Sequence, residues 1–375
     1  MDSLFRSLSL RRLTILLLGG VALVASVKFA ALLYHETLGS YDRDVNIYLT
    51  VGRGMLNGLT PYRDLFETKA PGIFLLSALS LWLFNGATLL LWVEAALLTI
   101  LPLIILLPLF RTQDLTRTIP VITVGFLFSV FLTLYTGAMA GQGLSESFGA
   151  VFATAVVALI ALPRRGDSDV SAGMTILIAF LLFFAAFFKE PFVLSALGGV
   201  VIVSPSFRSM KRMVIPLFAA GLLFLLGLLI TGTLMPYLTI YLGHMFGHQI
   251  ANPWGTVPDP LWLRTINIPR QWAAMQSFSP FLPWVIFSVW IGSLVLLLAR
   301  AQETRGRIIT FLQWLLASWL LTLSVGLSGD FYGHHFIFAL PVFCGFFYVC
   351  VSERGTLLRS RIGQWGIGRK QAKRK

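Results

Sequence analysis

Residues 41–72 read YDRDVNIYLTVGRGMLNGLTPYRDLFETKAPG and hold four acidic and four basic side chains. Asp44 and Tyr48 lie four apart, so on a helix they share a face. Asp42, two positions earlier, competes with Asp44 for any catalytic role. Arg53 follows, the Gly58-Leu59-Thr60-Pro61-Tyr62 stretch marks a turn, and Asp64, Glu67 and Lys69 precede Pro71. A carboxylate held among apolar walls at a membrane surface has its pKa raised by desolvation, which suits a general base. The competing reading is a set of solvated ion pairs on an amphipathic loop.

Four further stretches carry chemistry-capable side chains. TGAMAGQGLSESF (136–148) contains one carboxylate, Glu146, at the start of a helix, where it either complements the helix dipole or faces a substrate. LSGDFYGHHFIFALP (327–341) places Asp330, His334 and His335 together. Histidines there suit phosphate binding, proton donation or metal ligation, although neighbours on a helix diverge and the alternative is anchoring at headgroup depth. FFKEPF (187–192) sets Lys189 and Glu190 between two apolar runs, as a functional pair or as a mutual ion pair in a tight turn. YLTIYLGHMFGHQI (237–250) has His244 and His248 one helical turn apart but lacks the glutamate of a zincin, which favours an amphipathic interfacial helix.

The elements that must position these groups follow from composition. The chain has 375 residues, 57% hydrophobic and 12% charged, with mean hydropathy +0.81. A water-soluble core of this length has no room for that much apolar surface, so lipid is the expected solvent. Apolar runs near 13–34, 87–110, 119–136, 147–162, 172–188, 190–204, 213–232, 281–299, 308–327 and 333–351 predict about ten transmembrane helices in an all-α polytopic membrane protein. Arg6, Arg11 and Arg12 precede a first run too long for a cleaved signal peptide, which predicts a retained anchor. Cys344 and Cys350 are six apart and point to neither a disulfide nor a metal site.

Charge sets the sidedness. Of the 29 Lys and Arg residues, 21 fall in alternate gaps between these runs, as the positive-inside rule requires if those gaps are cytoplasmic. Residues 70–86, APGIFLLSALSLWLFNG, would invert every later loop if they crossed, so they are expected to form a juxtamembrane or re-entrant helix. Both termini are then cytoplasmic, with a basic tail over 352–375 against anionic headgroups or serving topology alone. Two long extracytoplasmic loops result, 35–86 and 233–280, and all five histidines fall outside. The net charge of +13 is spread over membrane-flanking loops, not gathered on a face for nucleic acid. The chain is expected to form one transmembrane domain, 1–375, without a soluble C-terminal domain.

Taken together, these residues resemble the GT-C superfamily of integral-membrane glycosyltransferases, which includes protein O-mannosyltransferases and lipid A aminoarabinose transferases. The resemblance rests on Asp44 with Tyr48 directly after the first apolar run, and on Gly58, Pro61, Tyr62 and Asp64 in a G-x-x-P-Y-x-D turn. Lys69-Ala70-Pro71, Glu146 as a second acid, Lys189, and the Phe331-Tyr332-Gly333-His334-His335 motif complete it. The sequence departs from the family in carrying Val45 after Asp44, Ala70 inside the Lys-Pro element and Glu as the second acid.

The resemblance implies transfer of a sugar from a polyprenyl-phosphate donor to a lipid, glycan or protein hydroxyl at the outer face of a bacterial cytoplasmic membrane. It implies Asp44 as the base with Asp42 as rival, and Arg53, Lys69, Lys189, His334 and His335 around the donor phosphate. Glu146, Tyr48, Asp64 and Tyr62 become substrate or metal contacts, with a divalent cation such as Mg²⁺ or Mn²⁺ left open. An O-antigen polymerase or ligase is the alternative enzyme, supported by Arg264 and Arg270 in the late loop but leaving the acids after the first run unexplained. A lipid-linked sugar flippase or transporter is the non-enzymatic alternative. Charges gathered at one surface and the lack of an internal repeat count against it.

Overall fold

The computed structural model describes residues 41, 43–108, 144–162, 171–204, 210, 213–245, 282–301, 304–327 and 337–350, with single positions at 20, 23, 27 and 30. Among these residues the regular structure is helical, apart from an isolated bridge between Pro61 and Leu65. The helices are α1 (Arg43–Leu56), α2 (Pro71–Phe84), α3 (Thr88–Leu106), α4 (Ser145–Ala161), α5 (Ala172–Phe188) and α6 (Pro191–Val203). They continue with α7 (Val214–Ile230), α8 (Leu234–His244), α9 (Leu282–Arg300), α10 (Thr304–Gly326) and α11 (Ile337–Cys350).

Helices α3 and α10 are long and apolar enough to cross a membrane. Helices α7 and α8 meet the same test as a pair, bent by 116° where they join. Length and composition therefore mark two spans, or three with the bent pair, where the apolar runs predict about ten. Apart from the single positions 20, 23, 27 and 30, the runs at 13–34 and 119–136 lie outside the described residues, and each of the others holds a helix. The outer side of α7 bares Phe218 and Ile230 at 75% and 76% exposure, an apolar stripe that is unfavourable in water and neutral in lipid.

Within the 70–86 stretch, Pro71–Phe84 forms a helix of its own. Pro71 opens α2 at the position where a missing N–H costs nothing, and Asn85 closes it in the left-handed conformation (φ 53°). Its 14 residues reach about 21 Å, short of the roughly 30 Å hydrocarbon core. Instead α2 packs between α1, α3 and α5. The Ser80 hydroxyl donates to the Gly86 carbonyl and accepts from the Leu89 amide, stitching the end of α2 to the start of α3.

Two close backbone approaches fix where α2 sits. A Cβ on Gly52 of α1 would lie 2.7 Å from the Ala78 amide nitrogen, so α1 and α2 cross nearly backbone to backbone. A Cβ on Gly72 would lie 2.6 Å from the Phe187 carbonyl oxygen, so the start of α2 abuts the end of α5. One apolar cluster joins α1, α2 and the start of α3 to Phe148, Phe188, Tyr237 and Tyr241. A second fills the space among α3, α4, α5, α6 and α11, and a third lies where α6 meets α10 and α11.

Candidate active-site cluster at the ends of α1, α4 and α5

The turn between α1 and α2 is held by its own polar groups. The Thr60 amide donates to Asp64 Oδ2, and the Tyr62 amide donates to the Leu65 carbonyl. Tyr62 is left with φ 69°, a left-handed conformation that costs a tyrosine about 1–3 kcal/mol and needs outside support. That support is aromatic and polar: its ring lies edge-on to Phe74 and Tyr237 and tilted against Tyr241, and its hydroxyl donates to the Lys69 carbonyl at 2.8 Å. With its backbone pinned there, Lys69 reaches back across the turn, and its Nζ lies 3.0 Å from Asp44 Oδ2.

Tyr48 is fully buried beneath Asp44, and its hydroxyl donates to the same Asp44 oxygen at 3.3 Å. The Ser145 hydroxyl lies within hydrogen-bonding reach of Tyr48 and also donates to Glu146 Oε2 at 3.0 Å. Glu146, in the first turn of α4, is wholly buried, and its Oε1 meets Lys189 Nζ at 3.1 Å. Lys189 arrives there because α5 ends at Phe188 and Pro191 opens α6, leaving Lys189 extended between them. The two junction residues then diverge: Glu190 accepts from the Tyr237 hydroxyl at 2.8 Å.

The result is one electrostatic unit, two carboxylates and two ammonium groups joined through Tyr48 and Ser145. Burial alone would lower the Lys69 pKa. The carboxylates of Glu146 and Asp44, with a smaller contribution from Glu67, outweigh it and raise the pKa above the ordinary lysine value. Lys69 therefore stays charged at neutral pH. Burial, then the charges of Glu146 and Asp44, hold the Tyr48 hydroxyl well above the usual tyrosine range, so it remains a donor.

Exposure separates the two acids. The Asp44 side chain is 29% exposed, whereas that of Glu146 is fully enclosed. Asp44 can meet a substrate hydroxyl directly, while Glu146 anchors Lys189 and adds negative potential from below. Such an arrangement can hold an anionic phosphate at the lysines beside a proton-accepting carboxylate.

Comparison with protein-family models, curated proteins and solved structures finds no match to this chain.

Of the residues singled out by sequence, Asp44, Tyr48, Lys69, Glu146 and Lys189 come together. Arg53 does not: nine positions beyond Asp44 it points to the opposite side of α1 and is exposed. Asp64 is also outside the cluster, paired with Arg63 at 2.8 Å. The Arg63 hydrogen bonds, then the Thr60 amide, hold the Asp64 carboxyl down to about 2. Tyr62 is buried behind Lys69 and positions it. The mutual Lys189–Glu190 pair is replaced by pairs to other helices, and the dipole role of Glu146 holds alongside its ion pair. Asp42, His334 and His335 lie outside the described residues, as do His248, Arg264 and Arg270. Ser145, Tyr237 and Tyr241 joined the site without having been singled out for it. The signal for the tyrosines is their spacing of four on a helix that is π-helical over Tyr237–Tyr241.

Among the described residues no three His, Cys, Asp or Glu side chains converge as a metal shell. The carboxylates of the cluster each face an ammonium group.

Proposed function

We propose that this chain is a GT-C-like membrane glycosyltransferase that moves a sugar from a polyprenyl-phosphate donor to a hydroxyl acceptor at the extracytoplasmic face. The observation that carries the reading is the meeting of Asp44, Lys69, Glu146 and Lys189, contributed by three segments far apart in the chain. In this reading the acceptor O–H gives its proton to Asp44 as its oxygen bonds to the anomeric carbon. The bond from that carbon to the phosphate oxygen breaks, and its electron pair leaves with the carrier phosphate. Lys69 and Lys189 stabilise the charge that develops on the leaving group. Glu146 fixes Lys189 in place, and Tyr48 holds Asp44 in its orientation.

The wider architecture belongs to the same proposal. About ten crossings, both termini in the cytoplasm and a bacterial inner-membrane location place the first loop and its cluster outside, where lipid-linked donors are presented. The apolar exterior of α7 supports a protein surrounded by lipid, and the acceptor is a glycan, lipid or protein.

The test is incubation of the purified full chain in detergent with a polyprenyl-phosphate sugar. The expected result is release of the carrier phosphate without any membrane gradient, lost in Asp44→Asn. Carrier release that is equal in wild type and Asp44→Asn removes Asp44 from the chemistry. Movement of intact donor across vesicles without release assigns the chain to transport instead.

A further inference from the structure

The side of α1 that turns away from the ion-pair cluster borders an open cleft of about 690 Å³, closed on its far side by the turn at Asp64–Phe66. That volume lies within the range of about 300–1,000 Å³ typical of small-molecule sites. Its lining is unlike the lipid-facing helices. Arg43, Asn46 and Thr50 stand at successive turns of α1, Asp64 faces them from the turn, and Tyr41 and Phe66 contribute aromatic rings. Phe66 is 50% exposed and is braced by the His244 ring at 4.8 Å, so it is held in place while keeping accessible surface. The Thr50 hydroxyl donates to the Asn46 carbonyl at 2.8 Å, and the Asn46 amide donates to the Tyr41 carbonyl at 3.3 Å. These bonds fix the polar side chains while their oxygen lone pairs stay available.

We propose that this cleft is a carbohydrate-binding site that holds the acceptor as a glycan chain. Sugars present flat apolar faces ringed by hydroxyls that both donate and accept, and the cleft offers the braced Phe66 ring, with Tyr41 beside it, next to acceptor oxygens and the Arg43 guanidinium. A prenyl chain finds too many polar groups here. A strongly anionic headgroup meets the carboxylate of Asp64. Asp44 directly follows Arg43 and lies about 100° round the helix, so a chain in the cleft passes the edge where Asp44 is exposed. Its identity as acceptor rests on the transferase reading; the binding of sugar does not.

The experiment is saturation-transfer NMR on the full chain in a detergent without a sugar headgroup, using a panel of short neutral and uronic-acid-containing oligosaccharides. Thr50→Trp fills the cleft from the exposed face of α1, and Phe66→Ala removes one ring. The expected result is transfer to members of the panel, abolished by Thr50→Trp and weakened about fivefold by Phe66→Ala. A panel without any transfer, or transfer undiminished in Thr50→Trp, overturns the site. Sugar binding without carrier release leaves the cleft standing and removes the transferase reading, and carrier release without sugar binding does the reverse.

Discussion

The cluster holds two acid–ammonium pairs of nearly equal length, 3.0 Å for Asp44–Lys69 and 3.1 Å for Glu146–Lys189, in unequal surroundings. The first joins α1 to a turn and shows 29% of its carboxylate side chain to the exterior; the second joins helix ends and hides its carboxylate completely. Charges partly open to solvent contribute little to stability and can exchange partners when a ligand arrives. Charges enclosed in the protein have lost their hydration and depend on each other, so removing one strands the other. Under the transferase proposal the same pairing serves chemistry in one place and architecture in the other.

Breaking the enclosed pair gives the largest effect. Glu146→Gln strands Lys189 and is expected to cost about 3–5 kcal/mol, read as a lower unfolding midpoint in a thermal or denaturant assay. Glu146→Gln with Lys189→Met is expected to recover most of that loss. If the double variant is no more stable than the single one, the pair is not what holds α4 to the end of α5.

Breaking the open pair shifts the effect from stability to activity. Asp44→Asn is expected to cost about 1 kcal/mol of stability and to lower sugar transfer at least about a hundredfold. Equal thermal losses for Asp44→Asn and Glu146→Gln abolish the distinction drawn between the two sites.

The supports of the open pair rank lower. Tyr62→Phe removes the hydroxyl that pins the Lys69 carbonyl, for about 1 kcal/mol, and is expected to reduce transfer less than Asp44→Asn does. Asp64 sits at the bottom of the scale. Its folded pKa is depressed to about 2 from 3.8, so its stabilisation is present above the upper value and is lost as pH falls through the lower one. The difference in unfolding midpoint between wild type and Asp64→Asn should be constant above about pH 4 and close as the pH drops toward 2. A difference that persists unchanged at pH 2 shows that the turn is held by something other than the carboxylate charge. Lys69 behaves oppositely. Its raised pKa leaves its contribution intact below the ordinary lysine value of 10.5, and it is lost only as pH rises through the higher folded value.

Local pattern made part of this legible beforehand. The apolar runs locate α3 to α7 and α9 to α11, because a helix bordering lipid must be apolar over most of its surface. The distribution of Lys and Arg among the loops predicts that 70–86 stands apart from the crossings. The four-residue spacing of Asp44 and Tyr48 delivers the hydrogen bond that the structure contains. The same helical geometry, applied to Arg53, places it half a turn from Asp44 and out of the cluster.

Partnership was not legible. Lys69 could have served any acid in the loop, and Lys189 stands next to Glu190 in the chain yet pairs with Glu146. Nothing in FFKEPF records that the end of α5 abuts the start of α2, a contact that depends on Gly72 letting backbones close on each other. Tyr237 and Tyr241 look like interfacial aromatics in the sequence, and only the bend between α7 and α8 carries them onto Tyr62.

The sequence by itself determined that this chain is helical, that its helices are apolar enough to border lipid, and that its ionisable residues gather in a few short segments, since composition and periodicity act locally along the chain. Only the tertiary structure decided which carboxylate is enclosed and which is open, and which ammonium each one faces. Burial and pairing are properties of neighbours brought from distant segments, and the close backbone contacts at Gly52 and Gly72 are where that choice is made.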